Sequence, residues 1–150
     1  MKYNSEAETR KHVANVAKYI SIVIASLLDR AVLHDKSKLK EPEKSVFDKY
    51  TPKLKNTTYG SEEYKKYLKE MNVALSNHYK MNRHHPEHWY KAGLSGMSLI
   101  DLIEMLCDWK AATLRHKDGN IKRSIQHNQK RFGFSDELKN ILFNTVDDIF

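Results

Sequence analysis

Cysteine, glycine and proline are all scarce in this sequence, and their scarcity excludes several classes of protein. The one cysteine, Cys107, cannot form a disulfide within the chain, so the fold does not depend on crosslinks as small secreted domains do. Five glycines and three prolines in 150 residues are too few for a collagen-like or low-complexity chain. We therefore expect an ordered protein from a reducing compartment.

Long apolar runs are absent as well. The longest, Tyr19 to Leu28, has ten residues and includes two serines, whereas a helix needs about 20 apolar residues to cross a bilayer. The first six residues lack the apolar stretch of a secretory signal. We therefore expect a cytoplasmic protein that does not have a membrane as a partner.

The composition has an excess of positive charge. The chain has 26 Lys and Arg against 19 Asp and Glu, which gives a formal net charge of +7. Such a protein attracts anions, and small phosphorylated molecules and nucleic acids are both anions. Composition therefore leaves both classes of partner open, and it leaves the oligomeric state open too.

Apolar residues recur at spacings of three and four along most of the chain, which predicts an all-α fold. The length is that of one domain, so we expect a single domain over residues 1–150 with about six helices. Loops are expected at 51–60 and at 86–96, where turn-forming residues cluster. The expected helices run from Ser5 through the apolar run, from Pro42 to about Tyr50, from Ser61 to about His84, from Ser98 through Leu114, from Ile121 to Arg131 and from Asp136 to Ile149.

An adjacent histidine and aspartate, His34 and Asp35, stand where an apolar stretch, 31–33, gives way to a polar one, 36–38. Neutral imidazole and carboxylate are both ligands for divalent metals of intermediate hardness. If the junction is also the end of a helix, the helix dipole favours a cation there. The pair is therefore a candidate metal site, although a lone His-Asp pair is also typical of a solvated surface.

Further histidines and an aspartate accompany this pair in a definite order. In chain order the set is His12, His34-Asp35, His78, His84-His85 and Asp108. This order resembles the H, HD, H, H, D signature of the HD-domain phosphohydrolase superfamily, over roughly residues 11–112. The phrases His-Asp-x-Ser-Lys, Asn-x-His-His-Pro-Glu-x-Trp, Glu-Met-x-Cys-Asp-Trp and Asn-x-x-Arg-Phe also resemble a small uncharacterised family of bacteria and their phages.

Members of the superfamily are helical, bind one or two divalent metal ions through these residues, and hydrolyse phosphomonoesters or phosphodiesters, often of nucleotides. The resemblance therefore implies an HD-like helical bundle, a cofactor such as Mn, Co, Ni, Fe, Mg or Zn, and a small phosphorylated substrate, with a nucleotide as the first expectation. Which of the two adjacent histidines faces the metal is left open. The metal ligands that the resemblance implies are His12, His34, Asp35, His78, His84, His85 and Asp108.

The implied reaction is the attack of a metal-activated water on phosphorus. Asp35 could then bridge two ions, and Lys38 could place a positive charge beside the phosphate. Glu104, four residues before Asp108, is expected to support the ligands. The expected catalytic residues are therefore Asp35, Lys38 and Glu104, and the expected substrate contacts are Lys36, Lys38, Asn82, Asn128 and Arg131.

The first two histidines of the set impose a geometric condition. His12 and His34 are 22 positions apart, which in one straight helix is a separation of about 33 Å. Two ligands of one ion, each about 2.1 Å from it, cannot be that far apart. We therefore expect His12 to face inward and the chain to reverse between the two, near Ser21–Ser26 or Leu28–Arg30.

Two alternatives compete with the hydrolase. The basic residues between Arg115 and Arg131 would suit a helical module that binds the phosphate backbone of nucleic acid. That alternative explains the net charge but not the ordered histidines and aspartates. The other is an interaction protein that keeps an HD-like metal site in a structural or degenerate form.

Overall fold

Helices account for all the regular structure in the described part of the chain, as the apolar periodicity predicts. The computed structural model describes residues 5–58, 61–115 and 119–150, and within these ranges there is no strand. Two 3-10 segments, Lys36–Leu39 and Pro86–Gly96, interrupt the α-helices. The α-helices are α1 Ser5–Leu33, α2 Glu43–Lys55, α3 Glu62–Glu70, α4 Asn72–Met81, α5 Leu99–Thr113, α6 Ile121–Phe132 and α7 Asp136–Ile149.

The prediction that the chain reverses between His12 and His34 is wrong, because α1 is one continuous helix of 29 residues. This stretch contains neither glycine nor proline, and its serines do not interrupt it. The hydroxyls of Ser21 and Ser26 donate to carbonyl oxygens four residues earlier, at 2.9 and 3.1 Å, so they stay within the helical pattern. By internal contacts the chain separates into two units, Met1–His34 and Asp35–Phe150.

No helix in the described ranges is both long enough and apolar enough to cross a bilayer. Even α1 falls short, because charged residues flank its short apolar run on both sides.

Two predicted boundaries in the second unit were also wrong. α2 continues past Tyr50 to Lys55 and includes Pro52, so the predicted loop at 51–60 begins only at Asn56. Tyr50 is buried and its hydroxyl donates to Glu70 at 2.7 Å, a tertiary contact that local propensity does not report. The predicted helix 61–84 is divided into α3 and α4, which meet at the fully buried Met71. The apolar period continues across this break, so the pattern alone indicates one helix.

The start of α5 is as predicted. Its first turn also fixes the segment that contains His84 and His85. The Ser98 hydroxyl accepts from the Asp101 backbone N–H at 3.2 Å, and Asp101 accepts from the Ser98 backbone N–H at 2.9 Å, which is a reciprocal capping box. Asp101 also accepts two hydrogen bonds from Arg83, at 3.2 and 3.1 Å. Burial raises the pKa of Asp101, but the hydrogen bonds from Arg83 and Ser98 outweigh it and hold that pKa at about 2. Arg83, the residue before His84, is thereby fixed to α5.

The apolar core of the second unit lies among α5, α6 and α7. Met105 and Leu106 from α5 pack with Ile125 from α6 and Leu142 from α7, and all four are buried. A smaller buried set, Met71 and Ala74 among them, lies where α2, α3 and α4 meet. The 3-10 segment at 36–39 contacts both α2 and α4. The polar side chains of the 3-10 segment 36–39 and of α4 are therefore held next to buried apolar residues of α2, α3 and α4.

We expect replacement of Asp101 by Asn to lower the free energy of unfolding at pH 7 by about 2 kcal/mol, because the native pKa is about 2 against 3.8 unperturbed. Urea denaturation measures this loss. The difference in free energy of unfolding between the wild type and the variant should be complete above about pH 5 and should shrink as the pH falls toward 2, because the unfolded chain and then the folded protein take up a proton on Asp101. Asp147→Asn is the control, since Asp147 is exposed in its pair with Lys122, and the loss there should stay below about 1 kcal/mol. Equal losses in the two variants would contradict the role given to Asp101.

Candidate metal centre

Asp35 is placed by the turn that ends α1. The His34 N–H donates to the Arg30 carbonyl at 2.8 Å, and Asp35 then adopts the left-handed backbone conformation, with φ 54° and ψ 15°. Asp tolerates this conformation better than most residues, and it stops the helix as a glycine would. The Lys38 amine donates to Oδ2 of Asp35 at 2.6 Å, while Oδ1 is buried. The orientation of the carboxylate is therefore set by both the turn and Lys38.

The histidines come from the end of α4 and the extended segment after it. His78 is on the last turn of α4, and the Asn82 side chain donates to the His78 carbonyl oxygen at 2.8 Å, which caps the helix. Pro86 disfavours helix for the residue before it, and His85 is extended, with φ −93° and ψ 128°. His84 and His85 are therefore free of helical periodicity, and both turn toward His78.

Four donor atoms converge at this place, one each from Asp35, His78, His84 and His85, all within 4.8 Å of one another. The Nε2 atoms of His78 and His85 are 2.8 Å apart. Oδ1 of Asp35 is 3.4 Å from Nε2 of His78 and 3.6 Å from Nε2 of His84. Donors about 2.1 Å from one ion lie roughly 2.9 Å apart at octahedral corners and roughly 3.4 Å apart at tetrahedral ones. Separations of 2.8, 3.4 and 3.6 Å are compatible with ligands that share one ion.

The opposite ring nitrogens of two of these histidines face buried carboxylates. Nδ1 of His78 is 2.9 Å from Oε2 of Glu43, and Nδ1 of His84 is 3.0 Å from Oε1 of Glu104. When Nδ1 carries the ring proton and donates it to the carboxylate, Nε2 has no proton, and its lone pair points toward the other donor atoms of the cluster. Metal-binding histidines typically have a carboxylate partner of this kind, which selects the tautomer and fixes the ring. The support role predicted for Glu104 is consistent with this contact.

Glu43 was not predicted as part of the site. It is completely buried, and besides His78 it accepts from the Ser37 hydroxyl at 3.0 Å and from the Asn77 amide at 2.8 Å. In the sequence it is one acidic residue in the first turn of a helix, a common position that the helix dipole favours. The one available signal was Pro42, which marks the helix start but says nothing about which way the next side chain turns.

Burial disfavours the charged form of two of these imidazoles, His78 and His85. It lowers the pKa of His78, and the positive charge of Lys38 lowers it further. Burial also lowers the pKa of His85 to about 3, with the neighbouring His84 and His78 adding to the effect. Both rings are therefore neutral near pH 7, which is the state that a metal ligand requires.

Two carboxylates of α5 belong to the same surroundings. Glu104 and Asp108 are four residues apart and so lie on one face of the helix, as the sequence predicts. An oxygen of Asp108 is within 4.8 Å of one from Asp35, so the predicted closing carboxylate does approach the site. Asp108 also raises the pKa of His85, opposing the effect of burial, which places its charge near that ring.

His12 does not come close to His34, as two ligands of one ion would have to. It is exposed, and α1 runs without a break to Leu33, so about 33 Å of helix separates it from His34. The predictions that it faces inward and that it shares an ion with His34 are therefore wrong. His34 is the last residue of the first unit, half-buried and one peptide bond from Asp35, and its role as a ligand stays a prediction.

The predicted substrate contacts near the site differ in exposure. Lys36 is exposed, and Lys38 is half-buried against Asp35 and the Phe47 ring. Asn82 is buried, and its amide donates to the Ser37 hydroxyl at 2.8 Å as well as to the His78 carbonyl. Asn82 therefore positions the histidine that we place in the site, and a contact with substrate stays a prediction.

The two predicted contacts on α6 have partners within the protein. The Asn128 amide donates to the Ser124 carbonyl at 3.0 Å, four residues earlier on the same helix. Arg131 donates to Glu87 at 2.5 Å, so it links α6 to the segment that follows His85. That ion pair positions the segment and leaves Arg131 less available to a phosphate than the sequence suggests.

The sequence model of a family described as "Family of unknown function (DUF5662)" matches residues 1–148, which is nearly the whole chain. The chain belongs to the DUF5662 family. No match was found among curated proteins or among solved structures. The description of DUF5662 gives no activity.

We expect Glu43→Gln to weaken the binding of Co²⁺ by roughly 10- to 100-fold, because the amide is a poorer acceptor for the Nδ1 proton of His78. Chelator competition, followed by the absorption of bound Co²⁺, measures the affinity. Glu41→Gln is the matched control, since Glu41 is exposed two residues away and accepts from Ser45 instead. Thermal denaturation without metal checks that both variants fold. Equal Co²⁺ affinity in the wild type and Glu43→Gln would contradict the positioning role.

Proposed function

We propose that this protein is a metal-dependent phosphohydrolase that acts on a phosphate ester of a small molecule, with nucleotides as the first substrate class. The observation that carries the proposal is the convergence of three imidazoles and one carboxylate, whose donor atoms all lie within 4.8 Å of one another, three of the pairs at 2.8, 3.4 and 3.6 Å. Buried carboxylates within 3.0 Å of Nδ1 of His78 and His84 favour the tautomer that a metal ligand needs, which supports the proposal.

The donor set favours particular metals. Imidazole nitrogen suits Zn, Fe, Co, Ni and Mn better than Mg, which prefers oxygen ligands and retains several waters. Of the ions that the resemblance implies, Mg is therefore the least suited to a site with three imidazoles. A bound divalent ion supplies a Lewis acid that lowers the pKa of water toward neutrality and offsets the charge on phosphoryl oxygens.

The chain's own residues would orient and attract the substrate. Lys38 is half-buried with its amine on Asp35, so its positive charge lies at the edge of the donor cluster. Lys36 is exposed two residues away on the same 3-10 turn. Ammonium groups at this distance attract a phosphate as point charges without imposing a two-pronged geometry. The neutral rings of His78 and His85 add no repulsion toward the cation that the site is suited to hold.

The nucleic-acid alternative is less well supported. Two cations of the predicted basic face are in ion pairs, Lys122 with Asp147 and Arg131 with Glu87. Each such pair lowers the positive charge available to a phosphate backbone. The alternative also leaves the burial of His78, His84 and Glu43 unexplained.

An interaction protein with a structural metal site would share the donor cluster. Only hydrolysis of a phosphate ester would therefore distinguish the hydrolase from it.

The test is hydrolysis of a panel of phosphomonoesters and phosphodiesters, nucleotides included, with Mn²⁺, Co²⁺, Ni²⁺ or Zn²⁺ and with a chelator as the blank. We expect metal-dependent release of phosphate or alcohol, and a loss of at least about 100-fold in kcat/KM for His84→Ala. His127→Ala is the matched control, because His127 is an exposed histidine on α6.

Metal content is measured on each preparation. Protein that holds its metal and leaves the whole panel unhydrolysed would favour the structural site. Protein that binds none of the metals would remove the basis of the proposal.

A further inference from the structure

The three candidate imidazole ligands are not supported in the same way. Nδ1 of His78 and Nδ1 of His84 each face a buried carboxylate, at 2.9 and 3.0 Å. For His85, the described residues include no carboxylate hydrogen-bonded to Nδ1, while its Nε2 is 2.8 Å from Nε2 of His78. A ligand ring needs a fixed orientation, because the outer torsion of a histidine side chain is otherwise broad. The orientation of the His85 ring therefore has to come from a different kind of contact.

Aromatic rings surround His85. The centroid of the Tyr79 ring is 5.1 Å from that of the His85 ring, and the two planes meet at 64°, which is an edge-to-face arrangement. The centroids of the His84 and His78 rings are 4.1 and 4.7 Å from it. Edge-to-face pairs with centroids about 4.5 to 7 Å apart are a favoured geometry for aromatic side chains. His85 is thus packed against Tyr79 as well as against the two histidines that face carboxylates.

The backbone is folded so that Tyr79 and His85 meet. Nδ1 of His88 donates to the Tyr79 carbonyl oxygen at 3.0 Å, and the His88 backbone N–H donates to the His85 carbonyl oxygen at 3.0 Å. His88 therefore joins the chain on both sides of the ring contact. Tyr79 is half-buried and directly follows His78, whose ring centroid is 6.0 Å from its own. The Tyr79 ring consequently lies beside two of the four donors.

We propose that Tyr79 is a positioning residue for His85, and that its ring supports this ligand as Glu43 and Glu104 support the other two. The role belongs to the ring and not to the hydroxyl, because the contact with His85 is between rings. Such a contact restricts the rotation of the imidazole without selecting its tautomer. The inference rests on the proposed function only through its metal centre, and it does not depend on hydrolysis.

The affinity and the absorption spectrum of bound Co²⁺, measured by chelator competition on the full chain, test this role. Tyr79→Leu removes the ring but keeps an apolar side chain, and we expect it to weaken Co²⁺ binding by about 10-fold and to alter the spectrum. Tyr79→Phe keeps the ring and should match the wild type in both. Tyr67→Leu is the matched control, because Tyr67 is also half-buried but packs against Tyr50, with 6.0 Å between centroids. It should leave both properties unchanged.

A double-mutant cycle shows whether Tyr79 acts through His85. His85→Ala removes the supported ligand and leaves three donors to hold the ion. In that background Tyr79→Leu should change Co²⁺ affinity by less than about 2-fold, against about 10-fold in the wild type. A tyrosine that only stabilised the fold would weaken binding equally in both backgrounds. Circular dichroism checks that each variant folds.

Equal Co²⁺ affinity and equal spectra in Tyr79→Leu and the wild type would overturn the proposal. So would equal losses in the two backgrounds, or a loss in Tyr79→Phe as large as that in Tyr79→Leu. A wild type that binds no Co²⁺ would overturn this inference together with the proposed function. A wild type that shows the coupling but hydrolyses no phosphate ester would support the inference and count against the proposed function alone.

Discussion

Two hydrogen bonds from histidine rings to buried carboxylates support the rest of the candidate site. His78 faces Glu43 and His84 faces Glu104, and in each pair both residues are buried. A buried carboxylate is tolerated only where donors surround it, and Glu43 has three of them. Because the same contacts fix the ring and its tautomer, they direct Nε2 of each histidine toward Asp35. The contacts of Glu43 and Glu104 thus position the histidine atoms that face Asp35.

The helices around this site hold it in more than one way. Arg83, directly before the paired histidines, is fixed to Asp101 at the start of α5, and Glu87, two residues after them, is fixed to Arg131 on α6. The histidine segment is therefore tied on both sides to helices of the apolar core. Asn82 completes the arrangement by bridging Ser37 and the end of α4. A segment without regular structure can in this way present two imidazoles in a definite geometry.

The order of histidines and aspartates in the sequence indicated several of the residues that come together, although it did not indicate every helix boundary. The convergence of Asp35, His78, His84 and His85 follows the order of residues from which the site was predicted. Asp108 approaches through helical spacing on α5, a regularity that is local and so visible in the sequence. Glu43 could not be found this way, because its role depends on contacts with Asn77 and His78, more than 30 residues along the chain. His12 was wrongly included, because the order of histidines carries no information on whether the helix between them bends.

The sequence by itself determined the helical class, the start of α5 directly after its cap Ser98, and the start of α7 at Asp136 directly after its cap Ser135. These depend on interactions between residues a few positions apart, namely apolar periodicity and side-chain caps. Only the tertiary structure decided that α3 and α4 separate at Met71 and that a glutamate at the start of α2 turns inward to a histidine. Each of these outcomes depends on what surrounds the residue in space, and short-range propensities contain no record of those surroundings.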